Sequence, residues 1–239
     1  MAPIGIFTVL RNAVSVLFRN FGVALFIATF NGGLGAILAD LATKWVYYYV
    51  HPVDKQAQLL TTQLTQLAVI TTWGCTVGAW AAAASIYLWV QHVKQRPVSL
   101  YEAVNFGLNR LARILPAHAK AFFIVQLGMI VIVPGILFGL QYAFVDGIAA
   151  LDEQEKNPLN RSRRLTSGRR GTLFRTFACF LPWWIPYQFA LVWVLQGRGP
   201  GWQFAGGLMD SFVLILLDLC MVQFYLDLFR KPAPAPAAA

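Results

Sequence analysis

Long apolar runs separated by short polar segments dominate this chain of 239 residues. Most of the runs reach the roughly 20 residues that an α-helix needs to cross a bilayer. The pattern predicts an all-α fold, a polytopic membrane helical bundle of six transmembrane helices, with residues 1–231 as a single domain and the Pro/Ala segment 232–239 as a disordered tail. The predicted spans cover approximately residues 21–42, 67–90, 117–133, 136–151, 172–195 and 204–228.

Three segments, which begin near residues 4, 99 and 157, combine apolar positions at helical spacing with polar residues on the other faces. In the clearest of them, Ser99 and Glu102 form a capping box, and Pro116 is a natural stop. Amphipathic helices beside membrane spans lie in the plane of the interface, so we expect three interfacial helices. The apolar stripe of the second helix consists of Leu100, Val104, Leu108, Leu111 and Leu115.

Residues 117–150 leave two topologies open, because Pro134 and Gly135 divide them into two runs that are short for a span. They form either two short crossings or a re-entrant hairpin. In both cases, sixteen of the nineteen Lys and Arg residues lie on one side of the membrane, and only Lys44, Lys55 and Arg198 lie on the other. The positive-inside rule then predicts that both termini are cytoplasmic.

The composition agrees with a membrane protein, since 58% of the residues are hydrophobic and only 12% are charged, against roughly a quarter in soluble domains. No length remains for a separate catalytic domain. The net charge of +9 belongs to residues that flank the apolar runs. Anionic phospholipid headgroups on the cytoplasmic side are therefore the expected partners, and nucleic acid is not.

The segment 151–175 is the most basic part of the chain, and it contains residues that are typical of helix ends. Asn157 is a suitable N-cap, Pro158 suits the first helical position, and Gly168 suits a left-handed C-terminal residue. Its positive charges predict a cytoplasmic location and docking to anionic lipid or to an acidic partner protein. The predicted docking residues are Arg161, Arg163, Arg164, Arg169 and Arg170, together with Arg110 and Arg113.

Three acidic residues, Asp146, Asp210 and Asp218, lie within the apolar runs. Carboxylates are costly in lipid, so each is expected to find a partner or water. They indicate either an ion or proton relay, or simply interhelical hydrogen bonds near the interface. The histidines His51, His92 and His118 have no ligand spacing, and we interpret them as ordinary polar residues at the interfaces. We predict no metal and no cofactor.

The segment 144–174, FVDGIAALDEQEKNPLNRSRRLTSGRRGTLF, resembles the signature stretch of a bacterial inner-membrane family. Its members are similar to the membrane domain of glycerophosphodiester phosphodiesterases. The resemblance implies a six-span fold in the bacterial cytoplasmic membrane. The catalytic barrel of those enzymes needs an early His-Arg pair, and no such dipeptide occurs here, so the resemblance implies no enzyme. The matching residues are Pro158, Leu159, Arg161, Ser162, Leu165, Gly168 and Arg169.

Two functional hypotheses follow. The first is a non-enzymatic structural or accessory subunit that binds lipids, other membrane proteins or further copies of itself, because no catalytic motif is present. The alternative is a transporter or lipid-handling protein with a polar intramembrane site. The prolines at Pro134, Pro182 and Pro186 support it, since broken helices with polar groups at depth often mark binding sites.

Overall fold

The computed structural model describes residues 5–49, 55–180, 182 and 199–229. Within these ranges every regular element is a helix, and no strand is present, which confirms the predicted all-α class. The helices are α1 (Ile6–Arg19), α2 (Phe21–Tyr49), α3 (Lys55–Val93), α4 (Leu100–Met129), α5 (Val133–Tyr142), α6 (Val145–Leu151), α7 (Pro158–Thr166), α8 (170–180) and α9 (Pro200–Phe229).

Four of the described segments are long and apolar enough to cross a membrane: Phe21–Tyr49, Lys55–Val93, Val133–Leu151 and Pro200–Asp227. This indicates a multi-pass membrane protein, but the predicted count of six is not confirmed. The predicted third span is the second half of α4. The greater part of the predicted fifth span, with its kink at Pro186, lies outside the described residues, as does the predicted tail 232–239.

The prediction that Pro116 ends a separate interfacial helix is wrong. Ser99 caps α4 as expected, because its side chain accepts a hydrogen bond of 3.2 Å from the backbone N–H of Glu102. The helix then continues through Pro116 to Met129, about 45 Å at 1.5 Å per residue. Proline removes one backbone hydrogen bond, and packing against α3 offsets this loss.

The packing of α4 on α3 is close because small residues form the contact. Ala103 and Gly107 are buried on α4, and a Cβ atom at Gly107 would fall 2.7 Å from the ring of Trp80. The Trp80 indole Nε1 donates a 3.4 Å hydrogen bond to the carbonyl of Val104, and the Tyr87 hydroxyl lies 3.2 Å from Glu102. The first half of α4 is therefore part of the helix bundle.

The helices α2 and α9 also approach closely, through glycine. A Cβ atom at Gly32 would overlap the backbone carbonyl of Gly207, and one at Gly207 would overlap that of Gly32. Glycine at both positions lets the two backbones touch, as is common between membrane helices. The amphipathic helix α1 packs beside them on α9 and buries Val9, Ala13 and Val16.

Both long N-terminal helices contain a π-turn near the middle, at Thr29–Gly33 in α2 and at Gly74–Gly78 in α3. The two π-turns lie next to each other. A π-turn disturbs the regular hydrogen-bond ladder and leaves carbonyl groups available to other donors, which is why such turns are frequent at functional sites. Here Trp73 Nε1 donates a 2.8 Å hydrogen bond to the carbonyl of Asn31.

The segment after Pro116 reverses direction in a tight turn at residues 130–132, so that α4 and α5 form a helical hairpin. Gly128 and Gly135 face each other across it, with their neighbours less than 3 Å from the positions that Cβ atoms would take. The tip of the hairpin consists of exposed apolar residues only: Ile130, Val131, Ile132 and Val133, each at least 63% exposed.

Candidate functional site

The bundle interior holds a group of polar side chains, His118 of α4, Asp146 of α6 and Asp218 of α9, which we call the polar cluster. The ring of His118 lies between two acceptors. Its Nδ1 atom is 2.9 and 3.0 Å from the two carboxylate oxygens of Asp146, and its Nε2 atom is 3.2 Å from the carbonyl oxygen of Gly74. The side chain of His118 is only 16% exposed.

These contacts restrict the protonation states of the pair. The carbonyl of Gly74 can only accept, so Nε2 of His118 carries a hydrogen. The remaining proton between Nδ1 and Asp146 then belongs either to an imidazolium facing a carboxylate, or to a carboxylic acid facing a neutral imidazole. In both states the pair is neutral overall, and it can pass a proton between its two members.

His118 lies inside the helix bundle, which its interpretation as an ordinary polar residue did not predict. His118 lies four residues after Ile114, which is fully buried, and next to the buried Ala117, so it belongs to the inner face of α4. The sequence contains this signal, since the spacing of small and apolar residues continues beyond Pro116. Asp146 of α6 contacts His118 of α4, and this contact is compatible with both interpretations of the intramembrane carboxylates.

Asp218 and Asp146 line one small cavity, together with Gly147, Ile86 and Tyr225. Its volume of about 20 Å³ accommodates a single water molecule. Among the described residues, no hydrogen bond reaches the carboxylate of Asp218. One imidazole therefore faces two carboxylates, and a single positive charge on His118 balances only one of them. The second carboxylate needs a proton, a cation or water.

A second polar contact lies beside the cluster at the paired π-turns. Asn31 Nδ2 donates a 3.1 Å hydrogen bond to the hydroxyl of Ser211, which is fully buried. A Cβ atom at Gly78 would be 3.6 Å from Nε2 of His118 and 3.8 Å from Oδ1 of Asn31. These are ordinary contact distances, so the imidazole of His118 and the amide of Asn31 both lie close to the π-turn of α3.

The position of Asp146 depends on a break between α5 and α6. The fully buried Ser162 of α7 accepts a 3.2 Å hydrogen bond from the backbone N–H of Phe144 and donates one of 2.8 Å to the carbonyl of Gln141. Thr166 donates a further bond of 3.3 Å to the same carbonyl. The basic helix α7 thus satisfies the backbone at the break and fixes the start of α6.

Three of the arginines that we predicted to dock lipid are in contact with the acidic turn 152–156. Arg161 forms ion pairs with Asp152 at 2.5 Å and with Glu155 at 3.2 Å. Arg110 pairs with Glu153, and Arg113 donates to the carbonyl oxygen of Asp152. These contacts tie α4 to the start of α7.

Contacts of this kind lower the pKa values of two carboxyl groups in the turn. The backbone N–H of Asn157, followed by the side chain of Arg161, holds the pKa of Glu155 below its ordinary value. The hydrogen bond from Arg110 lowers the pKa of Glu153 in the same way. Both carboxylates therefore remain ionised and bound to arginine at neutral pH.

The other predicted positions lie outside the polar cluster. Arg163, Arg164 and Arg169 are exposed on or just after α7, whereas Arg170 is half-buried. Asp210 lies two turns before Asp218 on α9 and does not line the cavity. His92 is half-buried near the end of α3, and His51 falls outside the described residues.

Within the described parts of the chain, no group of three or more His, Cys, Asp or Glu residues is arranged to hold a metal ion. Comparisons with protein-family models, with curated protein sequences and with solved structures give no significant match. The site is therefore interpreted from its own geometry, as an interhelical polar cluster in a helical protein with several apolar helices of membrane-spanning length.

Proposed function

We propose that the protein is a membrane transporter in which His118, Asp146 and Asp218 form the proton-binding site. One observation carries this proposal: His118 bridges a carboxylate and a π-turn carbonyl, while a second carboxylate shares a water-sized cavity with the first. Ionisable residues inside membrane helices are costly and commonly mark proton or ion pathways.

The proposed sequence of proton positions follows the contacts. A proton on Asp146 can move to Nδ1 of His118 along the 2.9 Å hydrogen bond. A water molecule in the cavity can connect Asp146 with Asp218. Uptake of a proton by Asp218 then leaves the whole cluster neutral, and its release leaves one negative charge. Such a change of charge within a helix bundle biases the packing of helices around it.

Proton flux into vesicles tests the proposal. The full chain is reconstituted with a trapped pH-sensitive dye, and a pH gradient is imposed together with a potassium diffusion potential. We expect faster acidification than in empty vesicles, and loss of most of this flux in Asp218→Asn and His118→Gln. Asp40→Asn is the matched control, because Asp40 pairs with Lys44 at 2.6 Å, away from the cluster. Equal flux in Asp218→Asn and the unaltered protein would contradict the proposal.

We also propose six membrane segments in a bacterial cytoplasmic membrane, with both termini cytoplasmic and the third and fourth segments forming a re-entrant hairpin. The distribution of Lys and Arg and the resemblance of residues 144–174 to the inner-membrane family support this topology. The exposed tip at residues 130–133 supports the re-entrant form, because a water-facing turn normally contains Gly, Asn or other polar residues. The same resemblance supports a protein without enzymatic activity.

A second candidate function is that of a structural or accessory subunit. The exposed side chains of Arg163, Arg164 and Arg169 favour it, because they are available to anionic headgroups or to an acidic partner protein. Native mass spectrometry after extraction in a mild detergent distinguishes it from the transporter. A stoichiometric partner protein or a defined oligomer supports the subunit, and a monomer without retained protein contradicts it.

A further inference from the structure

A long groove runs between the middle of α4 and the beginning of α7, away from the polar cluster. One part of it, which we call the basic part, has a volume of about 500 Å³ and contains the polar and charged side chains of Arg113, Lys120, Lys156 and Asn160. The other part, which we call the apolar part, has a volume of about 520 Å³ and is lined by apolar side chains that include Phe123 and Ile124. The two parts adjoin each other, because Pro116, Lys120 and Leu159 line both.

The basic part of the groove has an excess of positive charge. Within the described chain, neither Lys120 nor Lys156 forms an ion pair. The acidic residue of the lining, Glu155, is bound to Arg161 and accepts a hydrogen bond from the backbone of Asn157. Arg161 lies outside the lining and pairs with Asp152 as well as with Glu155, so it balances only one of these two carboxylates. The lining itself holds three cations, Arg113, Lys120 and Lys156, against one carboxylate, and this net positive charge attracts an anion.

The apolar part of the groove is suited to a hydrocarbon chain. Apart from Lys120, every side chain that lines it is apolar, and Phe123 is half exposed. Free phosphate or a small soluble anion would fill the basic part and leave the apolar part in contact with water or lipid. An amphiphile with a negative headgroup and an acyl chain matches both parts at once.

We infer that this groove binds one anionic phospholipid, with its phosphate at Lys120 and Lys156 and an acyl chain along Phe123, Ile124 and Leu159. The lipid would link the middle of α4 to the start of α7, and it would thus occupy a site different from the exposed Arg163 and Arg164. The inference does not depend on the proposed proton transport, because none of these residues belongs to the polar cluster.

Lipid titration followed by native mass spectrometry tests the site. The full chain in mild detergent is titrated with phosphatidylglycerol and, in parallel, with zwitterionic phosphatidylcholine. We expect one phosphatidylglycerol to be retained preferentially. The double variant Lys120→Gln/Lys156→Gln should bind it about 30-fold more weakly, as expected for two basic residues near a headgroup. Equal retention of the two lipids would overturn the inference.

Two further variants separate the groove from unspecific attraction. Lys94→Gln/Arg96→Gln removes the same charge from exposed positions outside the groove, and it should bind phosphatidylglycerol as the unaltered protein does. Ala119→Trp leaves every charge in place but fills the apolar part, and it should weaken binding at least tenfold. An equal loss in Lys94→Gln/Arg96→Gln, or undiminished binding by Ala119→Trp, would contradict the proposed lipid site.

Discussion

Replacing Ser162 by alanine tests how α7 holds the break between α5 and α6. The Ser162 hydroxyl is fully buried, accepts from the N–H of Phe144 and donates to the carbonyl of Gln141. Without it, the N–H of Phe144 loses its partner, whereas the carbonyl of Gln141 keeps its bond from Thr166. One orphaned buried donor costs about 1–3 kcal/mol of unfolding free energy.

Unfolding in mixed micelles of mild detergent and dodecyl sulfate, followed by tryptophan fluorescence, measures this loss. In Thr166→Val the carbonyl of Gln141 keeps a hydrogen-bond partner, because Ser162 still donates to it. The expected loss of unfolding free energy is therefore below about 1 kcal/mol. Ser167→Ala alters an exposed residue next to α7 and should change stability by less than about 0.5 kcal/mol. If Ser162→Ala costs no more than Ser167→Ala, the hydroxyl does not hold the break.

Three other predictions concern packing, topology and pH. Gly32→Ala should lower the unfolding temperature because its Cβ would meet the α9 backbone, while Gly22→Ala, with no atom within 4 Å of its Cβ, should not lower it. In a cysteine-free background, Val131→Cys should react with a membrane-permeant thiol reagent but not with an impermeant one; labelling by the impermeant reagent from outside would show a full crossing. The lowered pKa of Glu155 stabilises the acidic turn above the ordinary glutamate range, and this stability is lost as the pH falls through the lowered value. The protection factor of the Asn157 amide, which is the exchange rate of an unstructured peptide at the same pH divided by the observed rate, should therefore fall over this range, and Glu155→Gln should remove that pH dependence.

The sequence predicted the helical class and several helix ends, because these depend on local chemistry. Ser99 and Asn157 cap their helices through their side chains, and Gly168 adopts a positive φ of 77°. The interruption near Pro134 was predicted as well, and the chain reverses direction immediately before it.

The polar cluster was only partly predictable. Asp146 and Asp218 stood out because carboxylates are rare in apolar runs, but His118 did not, since it was assigned to a helix end at Pro116. Its partners Asp146 and Gly74 are distant in the chain. They contact His118 only because α3, α4 and α6 pack against each other with these residues on the facing sides. The two π-turns likewise have no local signature. The bond from Ser162 to a break in another helix depends on the same tertiary packing.

The basic segment illustrates a different difficulty. The sequence predicts that its arginines form one docking surface, yet Arg161 is bound by Asp152 and Glu155. Opposite charges that are close in sequence compensate each other once the turn folds. Lys120 lies in α4 and Lys156 lies in the turn before α7, so their common groove appears only in three dimensions.

Infrared difference spectroscopy of the reconstituted protein tests most directly whether the polar cluster binds a proton. A titration between acidic and alkaline pH should reveal a protonated-carboxyl band that is absent in Asp218→Asn and unchanged in Asp40→Asn. Because His118 contacts Asp146, His118→Gln should shift the pH at which carboxyl bands change. If the spectra of Asp218→Asn and the unaltered protein coincide over the whole pH range, Asp218 does not exchange a proton and the proposed proton-binding site is wrong.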